Sequence, residues 1–600
     1  MKRLLACMLA LLMLMGALVG CGKTNETDRG AEISVYLGAE IRNWDPALTY
    51  MQDSNVKFFS LVYEGLTRIN NDGELEYALA KDVKIIEDEE KNEYKMQIEL
   101  VETAWSDGRP VSADDVIYAW KRILEPEFTS TACAMLYDIE NARAVRAGDM
   151  TIDDLGLEAL DTTLLQITFE GKIDYDLFLE NCASPALVPL REDVVSRFTD
   201  ISASDYWAKK SSTILCSGPF CVKNLNADSA GKTLALQRND YYRALDANKD
   251  GKPDAKVKPF RLNINFGYDA EGRATAFSYN PKNGELEIKG GTLTENADKI
   301  LYLADVAVET KGAVVTDALS AFSLYMNTRN EVLSDARVRE ALSISLDRAK
   351  IAEMLGIAKP ATGLVPYGVY YTELGGAMYR DKVGALLDTE ADTDTAKKLI
   401  KEAGVKKNSE ITLVYYKSRE NAKPIMEYVK KTWEKLGFKV TLEAKGANQY
   451  FSMLYPGKKS GEYDFDVLAL DYQTLSTNAF SVLAPFAVPF SGMGKDTANN
   501  NFDDKPGVSG YANEKYDQLI EEAYAAETRE AMAEKLAEAE KLLLKEAPII
   551  PLAFNLDTYL ANSKVLSKIG SNHFGGRIFT KMKVKNYEMY RPTTGATAAK

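Results

Sequence analysis

The sequence predicts an α/β protein built from more than one lobe. Residues 411–442 read as a strand, a helix and a second strand, an order that favours parallel strands joined by a crossover helix. Residues 94–100 alternate apolar and polar side chains, which is typical of a half-buried strand. At roughly 100–200 residues per domain, the 600 residues of this chain exceed one domain. The mixture of elements therefore indicates several packed α/β units.

The N-terminal half contains strand and helix patterns in alternation. Ile33–Leu37 is strand-like, and residues 55–66 carry apolar side chains at helical spacing, with Gly65 as the expected end of the helix. Ser112 is placed to cap a helix with an apolar face. A further strand is predicted over 165–169.

The C-terminal half repeats the mixture. Phe322–Asn327 is strand-like, and Ser334 is expected to cap the helix that follows. One long helix is predicted over 514–546, ended by Pro548. A strand over Ile549–Phe554 completes the pattern.

The first twenty residues have the pattern of a bacterial export signal. Two basic residues precede an apolar run that is too short to favour a stable membrane span. The run ends in Leu-Val-Gly-Cys21, which resembles the bacterial lipobox, after which the new N-terminal cysteine is lipid-modified. We expect a signal peptide over 1–20, a lipid on Cys21 and a tether over 21–31. The alternative is an ordinary secretory signal.

Composition argues against several functional classes. The 73 basic and 88 acidic residues give a net charge of −15, so the chain has no general attraction for nucleic-acid phosphates. His573 is the only histidine, which leaves little material for histidine-based metal centres or nucleophilic catalysis. No Walker A, GxGxxG, HExxH or GxSxG motif occurs. We predict a protein that is not an enzyme and that has no cofactor.

Four cysteines remain after the signal and the lipidation site: Cys133, Cys182, Cys216 and Cys221. An extracytoplasmic setting permits disulfides, and four cysteines allow three pairings. Cys216 and Cys221 flank a Ser-Gly-Pro turn signal, so a local bridge between them is one option. The sequence alone does not fix the connectivity.

A polar loop over 246–254 (DANKDGKPD) follows the start of an EF-hand calcium loop. Its oxygen ligands would be Asp246, Asn248, Asp250 and Asp254. The twelfth position requires a bidentate glutamate and is Val257 instead, and two lysines add opposing charge. The favoured interpretation is a polar hairpin or linker rich in turn formers, with calcium as a weak candidate.

Several longer segments follow one another in a recognisable order. Two are specific, namely WSDGRPVSADDVIYAWKR at 105–122 and MNTRNEVLSDARVREALSISLDR at 326–348. The others are EIRNWDP (40–46), VYEGLTR (62–68), SGPF (217–220), LALQRNDYYR (234–243), AKKLIKEAG (396–404) and YANEKYDQLIEEA (511–523). Together they resemble the bacterial extracellular solute-binding proteins of the oligopeptide/dipeptide class (solute-binding protein family 5), which serve ABC importers.

The resemblance implies a two-lobed periplasmic-binding-protein-like fold, of type II with an extra domain, that closes on its ligand. Lobe I would be discontinuous, the extra domain would pack with it, and lobe II would be one continuous segment. The implied boundaries are 32–66, 206–321 and 549–600 for lobe I, 67–205 for the extra domain and 322–548 for lobe II.

The resemblance also implies two ligand contacts in the first part of the chain. Glu40 matches an acidic residue that lies against the ligand backbone in the family, and Tyr118 matches a tyrosine that approaches the ligand. The structural alternatives are a surface strand residue for Glu40 and a core-packing residue for Tyr118.

A third contact depends on the register over 465–480 (FDVLALDYQTLSTNAF). Peptide-binding members carry a tryptophan three residues before an Asp-Tyr pair, and that aspartate pairs with the ligand's N-terminal ammonium. A register with a gap assigns the pair to Asp471 and Tyr472. A register without a gap places Tyr472 at the tryptophan position and Leu475 at the aspartate position, so the anchor is then missing. A buried ammonium requires a paired carboxylate, which makes this choice important.

We therefore expect a monomeric binding protein, lipid-anchored at the outer face of the bacterial cytoplasmic membrane, that binds peptides or peptide-like solutes. Its partners would be an ABC permease and ATPase complex. A sugar, a nickel complex or another small solute remains an alternative ligand, and a surface ligand sensor an alternative role. The missing catalytic motifs argue against a secreted hydrolase.

Overall fold

A computed structural model gives the architecture. It describes residues 30–38, 41, 43–49, 53–70, 72–200, 203, 205–225, 233–243, 257, 259–265, 277–280, 285–288, 300–419, 421–454, 465–474, 476–495, 497–501, 506–585 and 589. Five predictions fall outside this part of the chain: the signal peptide, lipidation at Cys21, the tether except for residues 30 and 31, the contact at Glu40 and the calcium candidate at 246–254. Leu475 lies outside it as well.

Twenty-three strands occur among the described residues. In chain order they are β1 (Glu32–Tyr36), β2 (Thr67–Ile69), β3 (Leu75–Tyr77), β4 (Ala80–Asp88), β5 (Glu93–Leu100), β6 (Leu157–Asp161), β7 (Leu164–Thr168), β8 (Phe220–Leu225), β9 (Thr233–Arg238), β10 (Arg261–Asn265), β11 (Phe277–Asn280), β12 (Glu285–Ile288), β13 (Ile300–Ala304), β14 (Val314–Met326), β15 (Ala358–Pro360), β16 (Glu410–Tyr416), β17 (Lys439–Lys445), β18 (Val467–Gln473), β19 (Ile549–Ala561), β20 (Leu566–Ser567), β21 (Gly570–Ser571), β22 (Arg577–Ile578) and β23 (Lys583–Val584).

The α-helices lie mainly on the faces and ends of the sheets. They are Pro46–Thr49, Asp53–Val62, Ala113–Leu124, Ala142–Ala147, Tyr175–Asn181, Glu192–Val195, Ala336–Ile344, Arg348–Leu355, Tyr379–Val383, Thr393–Glu402, Ala422–Lys435, Ala447–Leu454, Phe480–Leu483, Glu514–Tyr524 and Arg529–Glu546.

One large mixed sheet runs through the molecule in the order β17-β16-β18-β14-β19-β13-β1-β10-β9-β8, with β15 beside β19. Its central strands, β14 and β19, are 13 residues each and pair antiparallel. One half of the sheet joins β14 through β18, and the other joins β19 through β13. The β14–β19 register shifts between Asp317 and Ala321 and again between Phe322 and Ser323. Such bulges bend a strand pair and increase its twist. The two halves of the sheet therefore meet at an irregular stretch, residues 317–323 of β14 with their partners on β19, which we call the β14–β19 joint.

The region 67–205 contains a separate antiparallel sheet in the order β4-β5-β7-β6. The helix Ala113–Leu124 packs on it through Val116, Ala119 and Trp120, which are buried. Ser112 caps this helix as predicted, and its backbone N–H donates to the Asp115 carboxylate at 2.9 Å. The alternating strand predicted over 94–100 is present as β5.

The predicted strand–helix–strand unit is confirmed in the C-terminal half. β16 and β17 pair in parallel, and the helix Ala422–Lys435 connects them along the chain. The helix buries its apolar stripe, and the Trp433 indole donates to the Leu342 carbonyl at 3.1 Å. Burial of that stripe against the sheet is what fixes the unit.

Three element boundaries differ from the predictions. The first helix ends at Val62 rather than at Gly65. Asp335, not Ser334, caps the helix Ala336–Ile344, because its carboxylate accepts from the Arg337 N–H at 2.9 Å. The single helix predicted over 514–546 is two helices, since the Thr528 hydroxyl caps a new helix by accepting from the Ala531 N–H at 3.2 Å.

Cys133, Cys182, Cys216 and Cys221 are buried free thiols. The suggested local bridge is absent, because the Cys221 thiol donates to the Gln237 carbonyl at 3.3 Å while Cys216 lies 3.7 Å from the Ile214 carbonyl. Burial raises the pKa of the Cys182 and Cys216 thiols. These thiols therefore pack as small apolar groups.

The described ranges contain no helix that combines the length and the hydropathy of a membrane span. They also contain no group of three or more metal-ligating side chains.

A buried ion pair holds the loop that contains residues 364–371. The side chains of Glu540 and Arg380 are 0% and 1% exposed, and the guanidinium donates to the carboxylate. The same carboxylate oxygen accepts from the backbone N–H groups of Leu364 and Val365 at 2.7 and 3.0 Å. The pair thus fixes this tyrosine-rich loop on the helix Arg529–Glu546.

Replacing Glu540 by alanine should destabilise the fold strongly. The substitution leaves the Arg380 charge and two N–H groups buried without their acceptor, which we expect to cost about 3–5 kcal/mol. Glu538, exposed on the same helix, provides the control, and its replacement by alanine should cost less than about 0.5 kcal/mol. Chemical unfolding measures both, and equal losses would contradict the assignment.

Candidate functional site

The topology brings the carboxyl ends of parallel strands from both halves of the large sheet to the β14–β19 joint. β16 and β18 are parallel, and β18 ends beside Ser320 of β14. β1 and β13 are parallel, and β13 ends beside Tyr559 of β19. Ligands of open α/β sheets bind outside the carboxyl ends of the strands, where the strand order switches. The joint is therefore the candidate binding site.

A polar cluster lines the side of this site that β16 and β18 form. Arg419 follows β16 and forms a bidentate ion pair with Asp471 of β18, Nε to Oδ2 at 2.7 Å and Nη2 to Oδ1 at 2.6 Å. Asn555 of β19 donates to Asp471 Oδ1 and to the Ser320 hydroxyl, both at 2.9 Å. The guanidinium lies 3.7 Å from the centre of the Phe322 ring. Four elements thus fix one charged pair at the edge of the joint.

A buried ionic network lies on the side of the site that β1 and β13 form. Arg577 donates through both Nη atoms to Asp557 of β19, at 2.6 and 2.7 Å. Lys57 bonds Asp305, the residue after β13, at 2.9 Å. A Cβ atom on Gly38 would lie 2.7 Å from the Asp305 carboxylate, and Gly38 has a φ of +100°. A side chain at position 38 would therefore collide with this network. Glycine at this position lets the chain after β1 pass close to Asp305.

The Asp45 side chain fixes the segment that follows β1. The Asp45 side chain is fully buried and caps the helix Pro46–Thr49, accepting from the Ala47 N–H at 3.1 Å. It also accepts two hydrogen bonds from Arg122, at 3.2 and 2.5 Å. These two residues belong to the sequence segments 40–46 and 105–122. Their ion pair ties the helix Ala113–Leu124 to the chain beside the joint.

The structure places the predicted contact residues in different environments. Asp471 borders the joint with 25% of its side chain exposed. Tyr472 points to the other face of β18, where it is buried, packs on Phe486 and donates to the Val482 carbonyl at 2.8 Å. Tyr118 is half-buried on its helix, and burial raises its pKa. Asp471 and Tyr472 are adjacent in sequence but face opposite ways.

Ionic contacts connect the region 67–205 with the later part of the chain. Arg529 bonds Glu180 at 2.7 Å and Asp174 at 3.0 Å. The Thr477 hydroxyl donates to Glu180 at 2.9 Å. These contacts join the helix Tyr175–Asn181 and the residue before it to Thr477 and to the helix Arg529–Glu546.

The only histidine lies at a junction of three segments. The His573 ring stacks on Tyr370 with centroids 5.5 Å apart, and its Nε2 lies 2.7 Å from the Gly368 carbonyl. The backbone N–H of His573 donates to the Ile69 carbonyl at 3.0 Å. Burial lowers the pKa of the ring. The residue packs the tyrosine-rich loop against the C-terminal segment.

Sequence reasoning missed Arg419 and Asn555. Arg419 is 52 residues from Asp471 and Asn555 is 84 residues from it, so no local spacing connects them. One feature of the sequence could have indicated Arg419. It follows the strand predicted from residue 411, and the carboxyl end of such a strand lies at the edge of the sheet where ligands bind.

The family model "Bacterial extracellular solute-binding proteins, family 5 Middle" matches residues 74–491. The chain belongs to this family. Its members are transport binding proteins, so the chain is a binding protein and not an enzyme.

The relatives agree with the family over nearly the whole chain. The dipeptide-binding protein DppE of Bacillus subtilis is 27% identical over 568 residues, covering 92% of this chain and 93% of DppE. The oligopeptide-binding protein OppA of the same organism is 26% identical, covering 84% of each chain. The solved structure of Listeria monocytogenes OppA bound to peptide has a TM-score of 0.72 at 21% identity and covers 93% of this chain and 99% of that one. The predicted two-lobed type II fold is thereby confirmed.

Asp138 adds a pH-dependent contact to this solute-binding protein. It accepts a hydrogen bond from Tyr524 across the interface with the helix Glu514–Tyr524, and burial raises the pKa of its carboxyl group to about 6. The unfolded carboxyl has a pKa of about 3.9. The protonated form therefore stabilises the fold fully below about pH 4, and this stabilisation is lost as the pH rises through about 6.

The Asp138→Asn variant should remove this dependence. Asparagine keeps an acceptor for Tyr524 without the buried charge, so we expect a gain of about 1–2 kcal/mol over wild type near pH 8. The gain should nearly vanish near about pH 4. Thermal unfolding at both pH values measures it, with Asp149→Asn at an exposed site as the control. A gain of the same size at both pH values would contradict the prediction.

Proposed function

We propose that this protein is the lipid-anchored substrate-binding subunit of an ABC importer and captures oligopeptides or peptide-like solutes between its two lobes. The observation that carries the proposal is the convergence of strand carboxyl ends on the β14–β19 joint, lined by polar groups from both sides. Relatives named for dipeptide and oligopeptide binding support the peptide class. The captured ligand would pass to a membrane permease and its ATPase.

Closure of the two lobes is the proposed mechanism. A ligand at the joint touches both sides and favours the closed form by its differential affinity for that form. We expect the contacts of Arg529 with Glu180 and Asp174, which join the proposed extra domain to proposed lobe II, to stabilise the closed form. The bulged joint supplies the two strands about which the lobes bend. We place lobe I at 32–66, 206–321 and 549–600, the extra domain at 67–205 and lobe II at 322–548.

An extended peptide suits this site because its backbone offers regularly spaced donors and acceptors. We assign Glu40 to a contact with the ligand backbone and Tyr118 to a contact with the ligand. Asp471 lies at the edge of the site, whereas Tyr472 supports β18 from the buried face. Water in side-chain pockets would leave the sequence preference broad.

Native mass spectrometry of the mature monomeric protein tests the peptide assignment. The protein is purified without denaturation, and released ligands are identified. We expect one bound peptide or peptide-like solute per chain, and the Tyr118→Ala variant should lower its occupancy about tenfold, a loss of about 1.4 kcal/mol. Tyr77→Ala, at an exposed tyrosine of the same region, is the control. Co-purification of a single non-peptide solute would contradict the peptide assignment. It would leave the proposed role in import unaffected.

Metabolic labelling with a fatty-acid analogue tests the anchor. Wild type should carry label and sediment with the cytoplasmic membrane, whereas Cys21→Ser should lose the label and appear in the extracytoplasmic fluid. Cys7→Ser, inside the predicted signal peptide, should behave like wild type. Label that persists in Cys21→Ser would exclude this lipidation site.

A further inference from the structure

The Arg419–Asp471 ion pair lies at the carboxyl ends of β16 and β18. Its side chains are 18% and 25% exposed, so the pair borders open space. The Arg577–Asp557 pair on the other side of the joint is sealed, at 0% and 5%. A ligand end that reaches the lobe II edge would therefore meet both members of the Arg419–Asp471 pair.

The geometry holds the pair together independently of any ligand. Two guanidinium nitrogens face the two carboxylate oxygens, which is the strongest arrangement available to these groups. Asn555 bonds both partners, donating to Asp471 at 2.9 Å and accepting from Arg419 at 3.3 Å. The buried Phe322 ring, 1% exposed, makes a cation–π contact with the guanidinium. Arg419 is thus held in place by Asp471, Asn555 and Phe322.

This arrangement changes what Asp471 offers a ligand. An ammonium group close to Asp471 is attracted by the carboxylate and repelled by the guanidinium at a similar distance, so the two Coulomb energies largely cancel. Removal of the ammonium from water still carries its full cost, since no unpaired carboxylate compensates it here. A neutral polar group, such as an amide, loses much less on leaving water and can accept from or donate to the same cluster.

We propose that this protein prefers peptides whose end at the lobe II edge is uncharged, such as N-acylated or cyclic peptides, over peptides with a free amino terminus, because Arg419 neutralises Asp471. The inference rests on the proposed peptide-binding function and names the ligand class within it. Asp471 then acts as the partner that orients Arg419 and Asn555, rather than as an ammonium anchor. Arg419 is the residue that sets the preference.

A competition experiment with the full mature protein tests the inference. The probes are a synthetic pool of lysine-free tri- to hexapeptides and the same pool N-acetylated, mixed in equal amounts. Peptides retained by the protein are quantified by mass spectrometry. We expect the acetylated forms to be enriched about threefold or more over the free amines.

Three variants separate the charge effect from a structural effect. Arg419→Gln leaves Asp471 unpaired and should reverse the preference toward free amino termini. Arg419→Gln combined with Asp471→Asn restores a neutral edge and should restore the preference for acetylated peptides. Lys417→Gln, at an exposed position two residues away, should leave the preference unchanged. Thermal unfolding of each variant confirms that it is folded before binding is compared.

The outcomes distinguish this inference from the function on which it rests. Equal or greater retention of free-amine peptides by wild type overturns the inference and leaves peptide binding intact. A preference for acetylated peptides that survives Arg419→Gln unchanged overturns its assignment to the ion pair. Retention of neither pool overturns peptide binding and the inference together.

Discussion

The pairing of β14 with β19 is the constraint on which the rest of the structure depends. These two strands alone connect the half of the large sheet that contains β16, β17 and β18 with the half that contains β1 and β13, among the strands that the structure describes. Because both strands cross the joint, the carboxyl ends of the parallel strands on either side must face each other there. The site is thus a consequence of topology, and the residues at the strand ends supply its chemistry.

Charges are arranged differently on the two sides of this joint. Asp557 and Asn555 lie two residues apart on β19, yet Asp557 is sealed in a buried network and Asn555 belongs to the cluster at the open edge. Buried pairs such as Arg577–Asp557 contribute little net stability but are costly to break, so they fix geometry. The Arg419–Asp471 pair is instead partly exposed, at 18% and 25% of its two side chains, and borders open space. One strand, β19, therefore contributes to a buried ion pair through Asp557 and to a partly exposed polar cluster through Asn555.

Much of the fold could be predicted from the sequence because periodicity is a local property. The β16–helix–β17 unit, the capped helix after Ser112 and the alternating strand β5 all follow from side-chain patterns within about a dozen residues. The long central strands were predicted only in part, since the outer residues of β14 and β19 include polar side chains such as Asp317 and Asp557. Their strand character comes from pairing across the sheet, which no local window contains.

The candidate site was less predictable for the same reason. Asp471 was singled out through the family resemblance, but its partner Arg419 is distant in sequence, so no local pattern connects the two. The single predicted helix over 514–546 failed because a threonine side chain at 528 competes for the backbone and starts a new helix. Long-range partners and local capping decide such details, whereas hydrophobic patterns decide the architecture.

The most direct test of the central claim is a crystal structure of the mature protein with its co-purified or added peptide. We expect ligand density at the β14–β19 joint, in contact with the chain after Gly38 on one side and with Arg419 or Asn555 on the other. Density in the cavity lined by Glu64, Arg68 and Tyr242, with none against Arg419 or Asn555, would contradict this placement.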